Sequence, residues 1–444
     1  MKTLRKYSLL IICLLALGIA NGQTVNSFSV QQAADYAKKN AVQVKNALLD
    51  ILIQKQTNRD ITSIALPQIG GSASVNDYLQ IPTTLLPGQI VGQPAGTFVP
   101  VKFGTKWNAN AGVSLSQIVF DGQVFIALKA RNGTVSYMEQ IEKLTEENII
   151  ANVHKVYYQL ITGKIQIELL DANIARLEKL KRDVQIMYDN GFTEKVDIDK
   201  LSVQLANLQT EKLKANNMIA NGYSGLKVLM GMPMKDSLVL TDTLDDNKIR
   251  EGVLEASQYK YTDRKDFQIL ETANKLNGLN VRRYKLSALP SFNLVGNYSL
   301  QAQRSKFDFF GKGDWFSTSY IGLQMHVPIF NGFALKARTQ KARLELQKSK
   351  NQTEALKINI DSEVENAKNN FITAIASMDF QKKNMALAEK VYGQTKKKYE
   401  IGTGSATEIN TAQLDLKTAQ TNYITALSEA IIAKIDFLKA TGKL

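Results

Sequence analysis

Between Phe120 and Gly191 the chain reads FDGQVFIALKARNGTVSYMEQIEKLTEENIIANVHKVYYQLITGKIQIELLDANIARLEKLKRDVQIMYDNG. Within it Ile149, Val153, Val156, Leu160, Gly163, Ile167, Leu170, Ile174, Leu177, Lys181, Val184 and Tyr188 follow at steps of four and three. Side chains three and four apart share one side of a helix. A mean step of 3.5 is a heptad seam, which winds left-handed against a partner. The stretch is expected to be one helix of roughly 68 residues, about 100 Å at 1.5 Å per residue. A helix that long does not fit a compact globule and needs long neighbours.

Working outward, the same layout is written twice. Phe120-Asp121-Gly122 returns as Phe330-Asn331-Gly332, and Tyr188-Asp189-Asn190-Gly191 as Tyr399-Glu400-Ile401-Gly402, both about 210 residues later. Leu66-Pro67 returns as Leu289-Pro290. The second seam is thinner and runs through Ile360, Val364, Phe371, Met378, Met385, Tyr392 and Tyr399. After each turn the spacing resumes, at Ile198, Leu201, Leu205 and Leu208, and at Ile409, Ala412, Leu416 and Ala419. Each copy reads as helix, strand, loop, strand, very long helix, turn, helix. The first copy is expected over residues 23–232, with strands about 68–80 and 107–118, a long helix about 122–190 and a helix about 194–230. The second is expected over 266–444, with strands about 290–302 and 316–327 and helices about 332–401 and 405–440. The helices before the first strand and after the turn should each be roughly 35 residues. Residues 233–265 between the copies are polar and form a linker or small subdomain.

The strands alternate. From Trp107, Ala109, Ala111, Val113 and Leu115 oppose Asn108, Asn110, Gly112, Ser114 and Ser116. Ile69, Ala73 and Val75 oppose Gln68, Ser72 and Ser74, and Phe292, Leu294 and Tyr298 oppose Asn293, Asn297 and Ser299. In 316–327 the apolar parity shifts midway. Segments of about ten residues with one apolar and one uncharged polar face match tilted transmembrane strands. A soluble sandwich with one wet face gives the same alternation; the secretory start and the paired long helices favour the barrel. Four strands do not close a barrel, since small membrane barrels need about eight. Several copies must contribute.

Composition narrows the chemistry. The 444 residues hold 55 Lys+Arg against 41 Asp+Glu, with two His and one Cys. One cysteine excludes an internal disulfide and a Cys-based metal site. His154 and His326 lie far apart, with no catalytic partner nearby, and no phosphate loop or dinucleotide fingerprint appears. No catalytic residue, metal or cofactor is assigned. Lys2, Arg5 and Lys6, the apolar run Leu9 to Ala20 and Ala20-Asn21-Gly22 read as a signal peptide over 1–22, cut before Gln23. Its removal takes Cys13 with it. No later apolar run reaches about 18 residues, so any membrane crossing must be a closed barrel. The formal charge of +14, with Lys396-Lys397-Lys398 and the run from Lys336 to Lys350, reads as solvated helix faces rather than a nucleic-acid surface.

These pieces together resemble the TolC-like outer-membrane efflux proteins over almost the whole chain after the signal. Phe28 to Ala33 looks like the opening helix, and Leu66-Pro67 and Leu289-Pro290 like the strand entries. Phe120-Asp121-Gly122 and Phe330-Asn331-Gly332 look like the strand-to-helix junctions. Tyr188 to Leu201 and Tyr399 to Leu414 look like the hairpin tips, and Leu229-Met230-Gly231 like the end of a repeat. The resemblance implies an α+β membrane protein with two internal repeats per protomer. Three protomers share a twelve-stranded barrel in the outer membrane of a Gram-negative bacterium, continued by a long antiparallel helical tunnel in the periplasm. Residues 233–265 become its equatorial segment. It implies a passive exit duct of a tripartite efflux or type I secretion system, not an enzyme. Its partners would be a periplasmic adaptor (membrane fusion protein), an inner-membrane pump and outer-membrane lipid. The competing readings are a periplasmic adaptor or coiled-coil structural protein without a channel, and an enzyme with an unrecognised site. Adaptors lack four amphipathic strands set in pairs between helices.

At the tips Gly191 and Gly402 suit the left-handed turn that ends a helix. Asp197 and Glu408 stand at equal positions just after it, where an acid favours a helix N-terminus. The resemblance makes these two, with Asp199 and Lys200, candidates for a periplasmic gate that selects ions. The family often carries a second acid one turn on, where Thr411 stands here. Asn190, Gly191 and Phe192, with Ile401, Gly402 and Thr403, partly match the family's adaptor-docking turn.

Overall fold

The computed structural model describes residues 25–244, 249–250, 258–311 and 313–444. The signal-peptide stretch 1–22 and part of 233–265 lie outside the described residues. The chain forms two compact units. One comprises Met1–Asp50, Glu139–Leu270 and Thr353–Leu444, the other Ile51–Met138 and Glu271–Gln352.

The second unit holds a four-stranded sheet of β2 (Gln68–Asp77), β5 (Trp107–Phe120), β7 (Ser291–Arg304) and β8 (Phe316–His326), in the order β2-β5-β7-β8. Every pairing in it is antiparallel. A separate hairpin pairs β3 (Thr83–Pro87) with β4 (Phe98–Lys102) inside the β2–β5 connection. Strand β2 ends at Asp77, short of residue 80, with one more bond in the same register from Tyr78 N–H to the Lys106 carbonyl at 2.8 Å.

The pairing register turns alternation into two faces. Gly71, Val113 and Tyr298 stand side by side, as do Ile69, Leu115, Gly296 and Ile321. On the other face Ser72, Gly112, Ser299 and Thr318 align, then Ser74, Asn110 and Gln301. The register slips between Ile118 and Phe120, which returns Phe120 to the apolar side opposite Phe292. Among the described residues nothing covers the apolar face: Ile69 is 72% exposed, Ile321 73% and Leu323 65%. In this unit Asn58 donates to the Arg131 carbonyl at 2.8 Å and Thr134 donates to Asn58 Oδ1 at 3.1 Å. The Thr134 hydroxyl thus ties two helices of this unit together.

Long helices dominate the first unit: α3 (Gly122–Asp189), α4 (Lys195–Met230), α6 (Ala334–Glu400) and α7 (Ala406–Ala440). Of these, α3 and α6 also contribute residues to the sheet unit. Ile360, Val364, Ala367, Phe371 and Met378 are buried along α6, and Ile409, Ala412, Leu416 and Ala419 along α7. On α3 the buried set includes Tyr157, Asn173 and Leu180, outside the single seam read from the sequence. Helix α3 packs against more than one neighbour, so more than one stripe is covered.

The chain starts as β1 (Val25–Phe28), which pairs in parallel with β6 (Ser237–Leu240). Tyr157 locks the pair: its hydroxyl donates to the Phe28 carbonyl at 2.8 Å and accepts from Asp242 N–H at 3.2 Å. Burial pushes the phenol pKa up, which keeps it a donor. Ser29 caps the next helix in a reciprocal box with Gln32.

Two helices differ in length from the sequence reading. The opening helix breaks at Ala41 (ψ 132°) into α1 (Val30–Asn40) and α2 (Val42–Ser63). The end of α4 lies against this break. Gly231 there has φ +68°, and a Cβ on it would strike the Asn40 carbonyl. The corresponding helix of copy two, α5, covers only Lys265–Leu286. Arg264 just before it is buried and extended, donating to Asp266, Glu363 and the Ala440 carbonyl at 2.7, 3.0 and 2.9 Å. Those bonds hold the chain out of helix at the point where a longer helix would continue. Among the described residues, no helix is long and apolar enough to cross a membrane.

Gly231→Ala combines a left-handed backbone with a backbone clash, and should cost about 2 kcal/mol or more. The expected outcome is a lower unfolding temperature by circular dichroism; an unchanged midpoint contradicts the close approach at Asn40.

Candidate functional site at the helical tips

The α3–α4 and α6–α7 hairpins end in the same turn. In the first, Gly191 has φ +80°, its N–H bonds the Tyr188 carbonyl at 2.9 Å, and Phe192 N–H bonds Met187 at 2.8 Å. In the second, Gly402 has φ +76°, its N–H bonds Tyr399 at 3.0 Å, and Thr403 N–H bonds Lys398 at 3.0 Å. These paired bonds satisfy the last carbonyls of each long helix and require a residue free to take positive φ. Both turns present apolar side chains to solvent: Phe192 is 78% exposed and Ile401 74%. Asn190 is held by its own bond to the Ile186 carbonyl at 2.7 Å.

The next helices begin differently. Ser405 caps α7, its hydroxyl accepting from Glu408 N–H at 3.1 Å. Glu194 caps α4 without a side-chain bond. Asp197 and Glu408 occupy the same third position, where the helix dipole favours a carboxylate. Their surroundings differ. Asp197 is partly covered, accepts from Thr193 at 2.9 Å and pairs with Lys200 at 3.6 Å. Glu408 is exposed, as are Asp199 and Lys200 on α4. Thr411, one turn after Glu408, donates to the Thr407 carbonyl.

Below the turns all four helices meet. Leu177, Leu180 and Val184 of α3 pack with Ile198 and Leu201 of α4, Tyr399 of α6 and Ile409 of α7. The Tyr399 hydroxyl reaches Met187 Sδ at 3.1 Å. Its pKa is raised, first by burial and then by Asp183 and Asp197.

Further along the same helices lies a buried polar knot that the sequence reading did not single out. Asn173 on α3 is 2% exposed, and Gln413 and Gln420 on α7 are 4% and 3%. Asn173 donates to Gln420 at 2.9 Å and to the Leu169 carbonyl at 2.8 Å. Its oxygen accepts from Gln413 at 2.8 Å and from Arg176 at 2.7 Å. Lys417 pairs with Glu211 at 2.9 Å and Lys212 with Asp171 at 2.5 Å, tying α7 to α4 and α4 to α3. The only signal in the sequence was polar residues at buried heptad phase, as Gln413 and Gln420 stand beside Ala412 and Ala419. Among the described residues, no cluster of three or more His, Cys, Asp or Glu is placed to hold a metal.

The profile of the family described as Outer membrane efflux protein matches residues 280–443. Outer membrane protein TolC of Vibrio cholerae is 19% identical over 340 residues, spanning 76% of this chain and 77% of that protein. The crystal structure of the Campylobacter jejuni CmeC outer membrane channel superposes with a TM-score of 0.74 at 18% identity, over 93% of this chain and 85% of that one. The open-state MtrE outer membrane channel of Neisseria gonorrhoeae gives 0.73 at 17%, over 93% and 88%. In sequence and in fold the chain is similar to the TolC-like outer-membrane efflux proteins. At such low identity the superpositions speak for the fold, so the local roles within this TolC-like chain rest on its own residues. The matched region runs from within α5 through β7, β8, α6 and α7, so it includes the second tip with Gly402 and Glu408.

Replacing Asn173 by Ala strands two buried glutamines. A loss of about 1–3 kcal/mol is expected, the cost of buried polar groups left without partners. Chemical denaturation should show a lower midpoint, and an unchanged midpoint means that the knot carries no net stability.

Proposed function

We propose that the chain is the outer-membrane exit duct of a tripartite efflux or type I secretion system. It is a passive conduit leading from the periplasm and pump to the cell exterior, and it makes or breaks no bond. Residues 1–22 are its signal peptide, 23–232 and 266–444 its two repeats, and 233–265 its equatorial segment. The working form is a homotrimer in outer-membrane lipid, with a twelve-stranded barrel continued by a helical periplasmic tunnel.

The observation that carries this reading is the sheet. Strands β2 and β8 are both unpaired edges. Because each neighbour pair is antiparallel, these two edges run in opposite directions. Strand β8 of one copy therefore meets β2 of the next as another antiparallel pair, and the alternation continues around a ring without a break. Lipid covers the apolar face and water fills the polar one. The apolar exposure of Ile69, Ile321 and Leu323 supports the same placement.

The tips are the periplasmic end. There the turn residues Asn190, Gly191, Phe192, Ile401, Gly402 and Thr403 dock the adaptor, with Phe192 and Ile401 as its apolar contacts. Asp197 and Glu408, with Asp199 and Lys200 nearby, line the narrowest passage before the pump and favour cations. Glu408 carries more of that field than Asp197, whose charge is shared with Lys200.

Purified protein added to a planar lipid bilayer should give discrete conducting steps, and should migrate as a heat-dissociable oligomer. A monomer that never inserts contradicts the duct. Asp197→Ala with Glu408→Ala should shift the reversal potential in a salt gradient toward lower cation preference. Of the single changes, Glu408→Ala should do more. An unchanged potential leaves the two acids as helix-start residues only.

A further inference from the structure

The polar face of the sheet carries no Asp, Glu, Lys or Arg along its paired strands. Its rows are mostly Ser, Thr, Asn, Gln and Gly, such as Ser72-Gly112-Ser299-Thr318, with Ile118 and Val295 as aliphatic members and His326 at the end of β8. Strand β8 departs from this pattern. Phe316 pairs with Gln301, which lies beside Asn110, and Tyr320 pairs with Asn297, which lies beside Ser114. Both rings therefore stand on the polar face, flanking Thr318. This is the parity shift visible in the sequence of 316–327. The apolar face of the strand then resumes with Ile321, Leu323 and Met325.

The two rings are not part of an aromatic cluster. At the loop end of the sheet Trp107, Phe307, Phe309 and Trp315 pack ring against ring, with centroids 5.1–6.3 Å apart. Phe316 and Tyr320 make no such contact and are 62% and 59% exposed. They are the only Phe, Tyr or Trp rings along the paired strands of this face, whose other apolar members are Ile118 and Val295. In the closed ring the strand beside them is β2 of the next copy. Its residues on this face are Gln68, Gly70, Ser72, Ser74 and Asn76, none of which brings an apolar side chain to pack on the rings.

We infer that Phe316 and Tyr320 are a cargo-contact site in the lumen of the duct, selective for planar aromatic cations; this rests on the duct reading above. With no formal charge on the wall, the negative faces of the rings are its strongest local attraction for a cation. A flat aromatic cation gains both stacking and cation–π contact. An aliphatic polyamine of equal or higher charge gains no stacking. The two rings sit four residues apart on one strand, roughly 13 Å at 3.3 Å per residue, so they act as successive steps along the wall.

The test uses the purified detergent-solubilised oligomer, with ethidium as probe and binding read by fluorescence anisotropy. Phe316→Ala with Tyr320→Ala should raise the ethidium dissociation constant about tenfold. Tyr320→Phe should leave it within about twofold, because the ring remains. Ser319→Ala, on the opposite face, should not change it, and spermidine should compete poorly. An unchanged constant in the double variant, or competition by spermidine as effective as by a second aromatic cation, overturns the inference. A double variant whose oligomer dissociates at lower temperature with ethidium binding intact also overturns it, and makes the rings packing at the seam between copies. If the double variant does not assemble, Phe316→Leu with Tyr320→Leu keeps the apolar bulk without the rings and decides the same question. Bilayer conductance separates the two levels. Protein without conductance defeats the duct itself, whereas conducting pores with ring-independent ethidium binding defeat only this site.

Discussion

A sheet edge is a row of amide N–H and C=O groups without partners, and in hydrocarbon each such group costs several kcal/mol. The four-stranded sheet has two of these edges, β2 and β8, and the duct reading follows from the need to satisfy them. Pairing with water would leave the apolar face, with Ile69 and Leu323, unburied. Pairing with another copy satisfies the edges and puts that face in lipid. An even number of strands per chain is what makes the junction antiparallel. The same constraint explains the uncharged polar rows, since the inner wall of a closed ring is the only place left for them.

The helical unit solves a different problem. Its buried stripes are thin, with Ala367, Ala412 and Ala419 among the contact residues. Small side chains let helices approach closely but bury little apolar area per turn. Apolar seams of repeating residues also tolerate slippage by a heptad. The Asn173–Gln413–Gln420 knot opposes that, because a slip by one heptad would leave Asn173 facing only one of the two glutamines. A single buried polar position setting the register of a coiled coil is a known use of such groups. Apolar contact gives the helices their attraction, and the amides define where they stop sliding.

The features legible in the sequence were those with a period. Ile149 to Tyr188 announced a long helix, and Trp107 to Ser116 a strand with two faces. The turn glycines Gly191 and Gly402 were legible because so few residues adopt positive φ. The break at Ala41 was not: alanine favours helix, and the residue packed against the break, Gly231, is nearly two hundred residues away. The short helix α5 was hidden for the same reason, since Arg264 binds Glu363 and the Ala440 carbonyl far along the chain. Gln413 and Gln420 were not legible as a site, because burial of an amide depends on a partner that local sequence does not reveal. In 316–327 the irregular parity was visible, but only the register with β7 assigned Phe316 and Tyr320 to a face.

The parallel pairing of β1 with β6 has a consequence for how such a chain is made. The bond from Val30 N–H to Asp242 joins residues 212 apart. A secreted chain emerges N-terminus first, so β1 leaves the translocation machinery long before its partner exists. Through that interval its unpaired backbone is a sticky end, open to any passing strand. The polar and small residues that follow it, Ser29, Gln31 and Gln32, keep that end poorly suited to aggregation. Closure of β1 on β6, with Tyr157 bonded to both sides, then marks the moment at which the first copy has fully emerged. The topology thus ties the start of the first copy to the segment that follows it.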